Sequence, residues 1–273
     1  MSRDTFLKNV TVLDTETTNL YADKAEIVEI AGAQYDGHNW QIKSMLLGAK
    51  NGIPPEASAK NHISNRMIAG LPTFAEATDK VVELLRWNCA DDLMYVAHNS
   101  KYDQIALATA FRTCDKSWLP HADEIAMNPF KWICTFRLAR QLLNDSFDDM
   151  QYNLSYLRYK LDLPIDDDVS VHRAAGDTLT CAVLFEFLVD YALATDKVIE
   201  GPDLGIQIFE LCWAPIIKTK WPFGKHKGVL LTDIPTDYYM WAINNMDILN
   251  EDNSAYDADL AESVKRVLEK RLN

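Results

Sequence analysis

Apolar and polar positions along the chain alternate between two periods. Val10, Val12 and Leu13 form a short apolar run that predicts a buried strand, and the run ends in Asp14 and Glu16 before the turn-forming Thr17, Thr18 and Asn19. Two stretches rich in β-formers follow, 26–35 and 40–47, separated by Asp36-Gly37-His38-Asn39, a turn of hairpin type. Three consecutive strands are therefore predicted, the latter two antiparallel. Residues 52–70 read as loop and short helix. Over 73–87, Phe74, Ala77, Val81, Leu84 and Leu85 recur at helical spacing behind a threonine cap. A strand over 93–97, the turn His98-Asn99-Ser100 and a helix over 102–111 repeat the theme, with Asp103 in the first helical turn. A strand over 132–134, helices over 136–143 and 153–160, an acidic loop at Asp166-Asp167-Asp168 and a long helix over 172–193 complete it. This alternation predicts an α/β fold, a mixed sheet flanked by helices.

Gly201-Pro202 and Gly205 then punctuate the chain, and the composition changes. Between Trp213 and Leu231 there is no acidic residue, while Lys218, Lys220, Lys225 and Lys227 are interleaved with Trp213, Trp221, Phe223 and His226. The last helix, over 255–272, brings Leu260, Val264, Val267 and Leu268 into phase. The predicted organisation is a main domain over 1–200, a linker over 201–212 and a small α-rich module over 213–273.

Composition narrows the function classes. At 273 residues and 48% hydrophobic the chain is globular. Its five cysteines are odd in number and contain no CxxC pair, which argues against a disulfide framework and a zinc site and fits a reducing, cytoplasmic setting. The N-terminal stretch has no apolar core of a signal peptide, no apolar run approaches membrane-spanning length, and Met1 is followed by Ser2, so no membrane partner is expected. A net charge of −13 opposes a polyanionic partner only if it is evenly spread, and the lysine-rich stretch shows that it is not. The oligomeric state is left open, a homodimer included.

The candidate chemistry begins at the end of the first strand. Residues i and i+2 of a strand share a face, so Asp14 and Glu16 project together and repel unless a cation lies between them. Hard oxygen ligands suit magnesium or manganese. A lone Asp-x-Glu is more often a solvated loop. Asp103 and Asp177, each near a helix start, and His172, five positions before Asp177, alter that balance, although each alone could serve a bland role and His121 is a decoy for the histidine. Four carboxylates and one imidazole together suit phosphodiester hydrolysis with two metal ions, the histidine accepting a proton from the attacking water.

These residues stand in three motifs: DTET (Asp14, Glu16), AHNSKYD (Asn99, Asp103) and HRAAGD (His172, Asp177). With them the chain resembles the DEDDh (DnaQ-like) 3′–5′ exonucleases over about residues 8–195, and within that family the exonuclease X type. The H-x4-D spacing separates it from the sister group that uses tyrosine. The resemblance implies an RNase H-like sheet, with Asp14, Glu16 and Asp177 on one divalent ion, Asp14 and Asp103 helping to hold a second, and His172 as general base. It also implies that Thr17 and Leu20 meet the terminal nucleotide, Leu20 as an apolar surface against a base. WICTFRLAR at 132–140 and PEASAKNHIS at 55–64 sharpen the similarity. In the latter, Asn61 falls where the family commonly has histidine, and His62 is the candidate to replace it. The stretch 221–241 resembles a small FGK-x-x-G module. Lys225 and Lys227 within it and Lys220 just before it are candidate phosphate contacts, since lysines alternating with rings suit a single strand, whereas its tryptophans serve equally well as that module's core.

The function expected is a metal-dependent exonuclease acting on DNA 3′ ends, single strands preferred and duplex ends a further substrate, that releases nucleoside 5′-monophosphates. An exoribonuclease of the same fold and a non-catalytic nucleic-acid-binding protein are the alternatives.

Overall fold

A computed structural model describes residues 1–86, 93–114, 122, 125–126, 128–143, 151–169, 172–253 and 255–272. In chain order the elements are α1 (Arg3–Lys8), β1 (Val10–Thr17), β2 (Ile27–Tyr35), β3 (Trp40–Leu46), α2 (Pro55–Asn61), α3 (Phe74–Leu85), β4 (Met94–Ala97) and α4 (Lys101–Thr113). They continue with β5 (Trp132–Cys134), α5 (Thr135–Leu143), α6 (Leu154–Lys160), α7 (Ala174–Ala194), α8 (Leu204–Trp213), α9 (Thr236–Asn245) and α10 (Ala258–Leu272). Trp87 and His121 lie outside the described residues.

The strands form one mixed sheet in the order β3-β2-β1-β4-β5. β1 and β2 pair antiparallel, as do β2 and β3, whereas β4 runs parallel to β1 and β5 parallel to β4. Parallel neighbours require crossovers, and the helices that supply them cover both faces. On one face Val10, Val12, Ala33, Val96 and Ile133 pack against Leu138, Leu184, Phe185 and Leu188 of α5 and α7. On the other, Leu13, Ile30, Tyr95, Ala97 and Trp132 pack against Val81, Leu85, Leu107 and Phe111 of α3 and α4. The period-2 alternation of β1 thus feeds two cores at once. The Thr73–Glu76 capping box starts α3, the Thr73 Oγ1 and N–H both donating to Glu76 Oε2.

The chain divides after Cys212 into two compact units. The stretch 201–212, expected as a linker, is mostly α8: Leu204, Ile208 and Cys212 recur every fourth residue and are buried in the core of the first unit. Cys212 Sγ accepts the Cys134 backbone N–H at 3.2 Å, tying the helix to β5. The Gly and Pro that suggested a linker instead lie before the helix and in its first turn. The second unit, α9 and α10 with the turn before them, has its own core of Trp221, Leu231, Ile234, Tyr239, Leu260 and Val264. Among the described residues no helix is long and apolar enough to cross a membrane.

Candidate active site

β1 carries the first two acids. Val10 and Val12 point into the core that α7 covers, and Asp14 and Glu16 continue that face up to the irregularity in the β1–β2 register between Glu16 and Thr17. Asp177, in the first turn of α7, meets them there, and one carboxylate oxygen each from Asp14, Glu16 and Asp177 lies within 4.8 Å of the others.

Asp103 is not part of that trio. It comes from α4, which packs on the opposite face, and its Oδ1 accepts from the Thr15 N–H at 3.0 Å and the Thr15 Oγ1 at 2.7 Å. The side chain is only 3% exposed. Its charge nevertheless reaches Asp14: burial first and Asp103 second hold the Asp14 carboxyl well above the ordinary range. Burial, then Asp177 and Glu29, push Glu16 up to about 7. Burial raises Asp103 to about 7 against the Thr15 hydrogen bonds, and raises Asp177 against the opposing charge and backbone N–H of His172. Among the described residues none of the four acids is in an ion pair. An all-oxygen, mutually repelling donor set of this kind fits divalent magnesium or manganese.

His172 departs from expectation in conformation. α7 begins at Ala174 rather than at 172, and His172 is an exposed residue with φ of 59° whose backbone N–H donates to Asp177 Oδ2 at 3.1 Å. Beside it at the helix start lies Glu29, which the motif reading missed. Its buried carboxylate accepts from Arg173 Nε at 2.9 Å, Arg173 Nη2 at 2.8 Å and the Ala174 N–H at 3.1 Å, so a β2 side chain caps the start of the helix. The register places Glu29 directly opposite Glu16. Glu29 is the one acid in β2, a strand whose nine positions are all buried.

Around the acids opens a cleft of about 740 Å³ that also takes in Thr17, Leu20, Asn61, Asn99 and Tyr102. Leu20 is 78% exposed on its rim. The Thr17 hydroxyl and the Asn19 carbonyl are both hydrogen bonded by the Tyr102 hydroxyl, which fixes the end of β1. Asn99 has φ of 64°, a left-handed turn that asparagine tolerates between β4 and α4. Asn61 is buried, its Nδ2 donating to the Thr17 carbonyl at 3.4 Å, while His62 caps α2 in the left-handed conformation with its ring 6.4 Å from that of His172. His98 is a neutral strut: burial drives its imidazole down to about 4, and its nitrogens bond to Thr135 Oγ1 and the Tyr152 carbonyl, both at 2.9 Å. Lys220, Lys225 and Lys227 lie exposed in the second unit.

A family model described as Exonuclease, of the RNase T type, matches residues 11–185. A second, described as a putative quorum-sensing-regulated virulence factor, matches residues 212–245. The chain is 26% identical over 245 residues to Exodeoxyribonuclease 10 of Escherichia coli K12, across 88% of this chain and 92% of that protein. To the DNA polymerase III subunit epsilon of Treponema pallidum it is 28% identical over 180 residues, across 66% of this chain and 75% of that protein. Among solved structures, exonuclease X in complex with 5′ overhanging duplex DNA superposes with a TM-score of 0.52 at 25% identity, over 74% of this chain and 99% of the other. The exonuclease match spans more than half of the chain and includes Asp14, Glu16, Asp103 and Asp177, so the chain belongs to the DnaQ-like exonuclease family, nuclease hydrolases built on an RNase H-like fold.

Proposed function

We propose that the cleft removes nucleotides from the 3′ end of DNA, single strands preferred, and releases nucleoside 5′-monophosphates. The observation that carries this reading is the convergence of Asp14, Glu16 and Asp177, with Asp103 near enough to raise Asp14, into an anionic cluster that among the described residues has no ion-paired cation. Asp14, Glu16 and Asp177 would hold one magnesium or manganese ion, and Asp14 with Asp103 a second. Bound there, the ions supply an activated water and a counter-charge for the leaving oxygen.

The chain's own groups do the rest. His172 stands exposed beside Asp177, where its imidazole takes the proton from the attacking water and passes it to solvent. The left-handed backbone at His172 keeps that residue out of α7, and it lines the cleft with the acids. Thr17 positions the terminal nucleotide, Leu20 offers an apolar surface to its base, and Asn99 and His62 flank the incoming strand. DNA is preferred over RNA because the relative that spans most of this chain is an exodeoxyribonuclease. A cytoplasmic setting agrees with the free thiols of Cys114, Cys134, Cys181 and Cys212.

The test is direct. Purified protein with magnesium or manganese should shorten 5′-labelled single strands from the 3′ end, and Asp14→Ala should lose at least about a hundredfold in rate, as expected when a metal ligand is removed. No shortening, or full activity in the variant, would reject the reading. Matched strands of DNA and RNA decide the sugar, with faster loss of RNA overturning that part.

A further inference from the structure

The second unit holds a surface that the cleft chemistry does not use. Its residues 213–273 carry nine acids and eight bases, nearly neutral in a chain of net charge −13, and four of the bases fall in the stretch 213–231, which holds no acid. Lys218 is neutralised by Asp257 at 2.5 Å, and Lys265 and Arg266 face Glu262. Lys220, Lys225 and Lys227 are exposed, and among the described residues none of them is in an ion pair. All three sit on or beside one turn. Trp221 and Gly228 close it, the Trp221 N–H donating to the Val229 carbonyl at 2.9 Å and the Gly228 N–H to the Trp221 carbonyl at 2.8 Å. Gly224 at φ 62° and Gly228 at φ 81° supply the left-handed corners that other residues resist.

The aromatic residues here divide into two roles. Trp221 is fully buried and belongs to the core. From it a row of rings leads outward: His226 lies edge-on to Tyr238 at 4.3 Å between centroids, and Tyr238 lies 5.6 Å from Trp241, which is 51% exposed. Trp241 therefore keeps a large ring face in water, next to a ring row that includes His226, the residue between Lys225 and Lys227 in the chain. Exposed lysines on one turn, with an exposed tryptophan at the far end of the ring row that starts from that turn, match a polymer with phosphates along one edge and unpaired bases along the other. In a duplex the base faces are already stacked on one another and leave none for Trp241. An acidic protein would satisfy the lysines but has no matching use for the row of rings.

We propose that this face of the second unit grips single-stranded DNA, with Lys220, Lys225 and Lys227 on phosphates and Trp241 stacked on a base; the choice of nucleic acid rests on the nuclease reading above. The full chain is titrated into a fluorescein-labelled oligothymidylate in EDTA, which separates binding from turnover. Replacing the three lysines together by alanine should weaken binding and lower the slope of log affinity against log salt by about 2, at about 0.7 for each phosphate that is no longer neutralised. Trp241→Ala should weaken binding about tenfold and leave the slope unchanged. These side chains are exposed, so thermal melts of both variants should match the wild type. Unchanged affinity in both variants overturns the proposal. So does a duplex that binds as tightly and suffers the same losses, or polyglutamate that competes as well as the strand, the last assigning the face to an acidic protein. Shortening of the strand by wild-type protein in magnesium is followed in parallel. If it is absent while the binding losses occur, the nuclease reading fails and this one stands.

Discussion

Replacing Glu16 by glutamine should make the metal-free protein more stable while destroying its function. The carboxyl keeps its proton up to about 7 instead of 4.5, through burial and then through the charges of Asp177 and Glu29, with Lys60 opposing. Between those two values the folded chain binds a proton that the unfolded chain has released. Stability contributed at this site is therefore complete below 4.5 and is lost as pH rises through 7. The displacement corresponds to about 3 kcal/mol at neutral and higher pH, a ceiling because the neighbouring acids titrate with it. Melts in EDTA at about pH 8 should place Glu16→Gln up to roughly 6–10 °C above wild type, and the gap should close by about pH 4. Saturating magnesium should raise the wild type more than the variant and narrow the difference, since a ligand bound only to the folded state stabilises it in proportion to affinity. A variant that melts at or below the wild-type temperature in EDTA at high pH would refute the reasoning, because the cluster would then not be self-repelling.

Glu29→Gln should slow turnover at least about tenfold with little change in KM, because it releases Arg173 and loosens the start of α7 that sets His172 and Asp177; stability should fall by about 1–3 kcal/mol, measured by urea melts beside steady-state kinetics. His98 carries the opposite pH signature: its imidazole titrates at about 4 in the folded chain and 6.5 in the unfolded, so stability is lost as pH falls through that window, by up to about 3 kcal/mol. His98→Asn should flatten that slope in urea melts between those values, and an unaltered slope would remove His98 as its source. Leu20→Ala should change stability by less than about 0.5 kcal/mol, since the side chain is exposed, yet raise KM for DNA several-fold if the proposed base contact is made there.

β1 and β5 were readable from local pattern alone, because a strand that feeds a core on each face stands out as a short apolar run in the chain. The same holds for Asp14 and Glu16, whose shared face follows from strand geometry without any neighbour. DTET, AHNSKYD and HRAAGD identified the acids in the same way, since each motif is contiguous. Glu29 was not readable: its meaning depends on the β1–β2 register that sets it opposite Glu16 and on the arrival of Arg173 and Ala174 from 144 and 145 residues away. The start of the long helix, expected at 172 and found at Ala174, is likewise capped by a side chain from another strand. Gly201-Pro202 and Gly205 suggested a linker where every fourth residue of α8 is buried, because punctuation is local and burial is not. Trp221 and Trp241 are chemically identical and only packing separates the buried anchor from the exposed ring. Periodicity and contiguous motifs record what a residue does within its own element. Which distant side chain it meets depends on how elements pair, and that is settled by the cooperative packing of the whole chain.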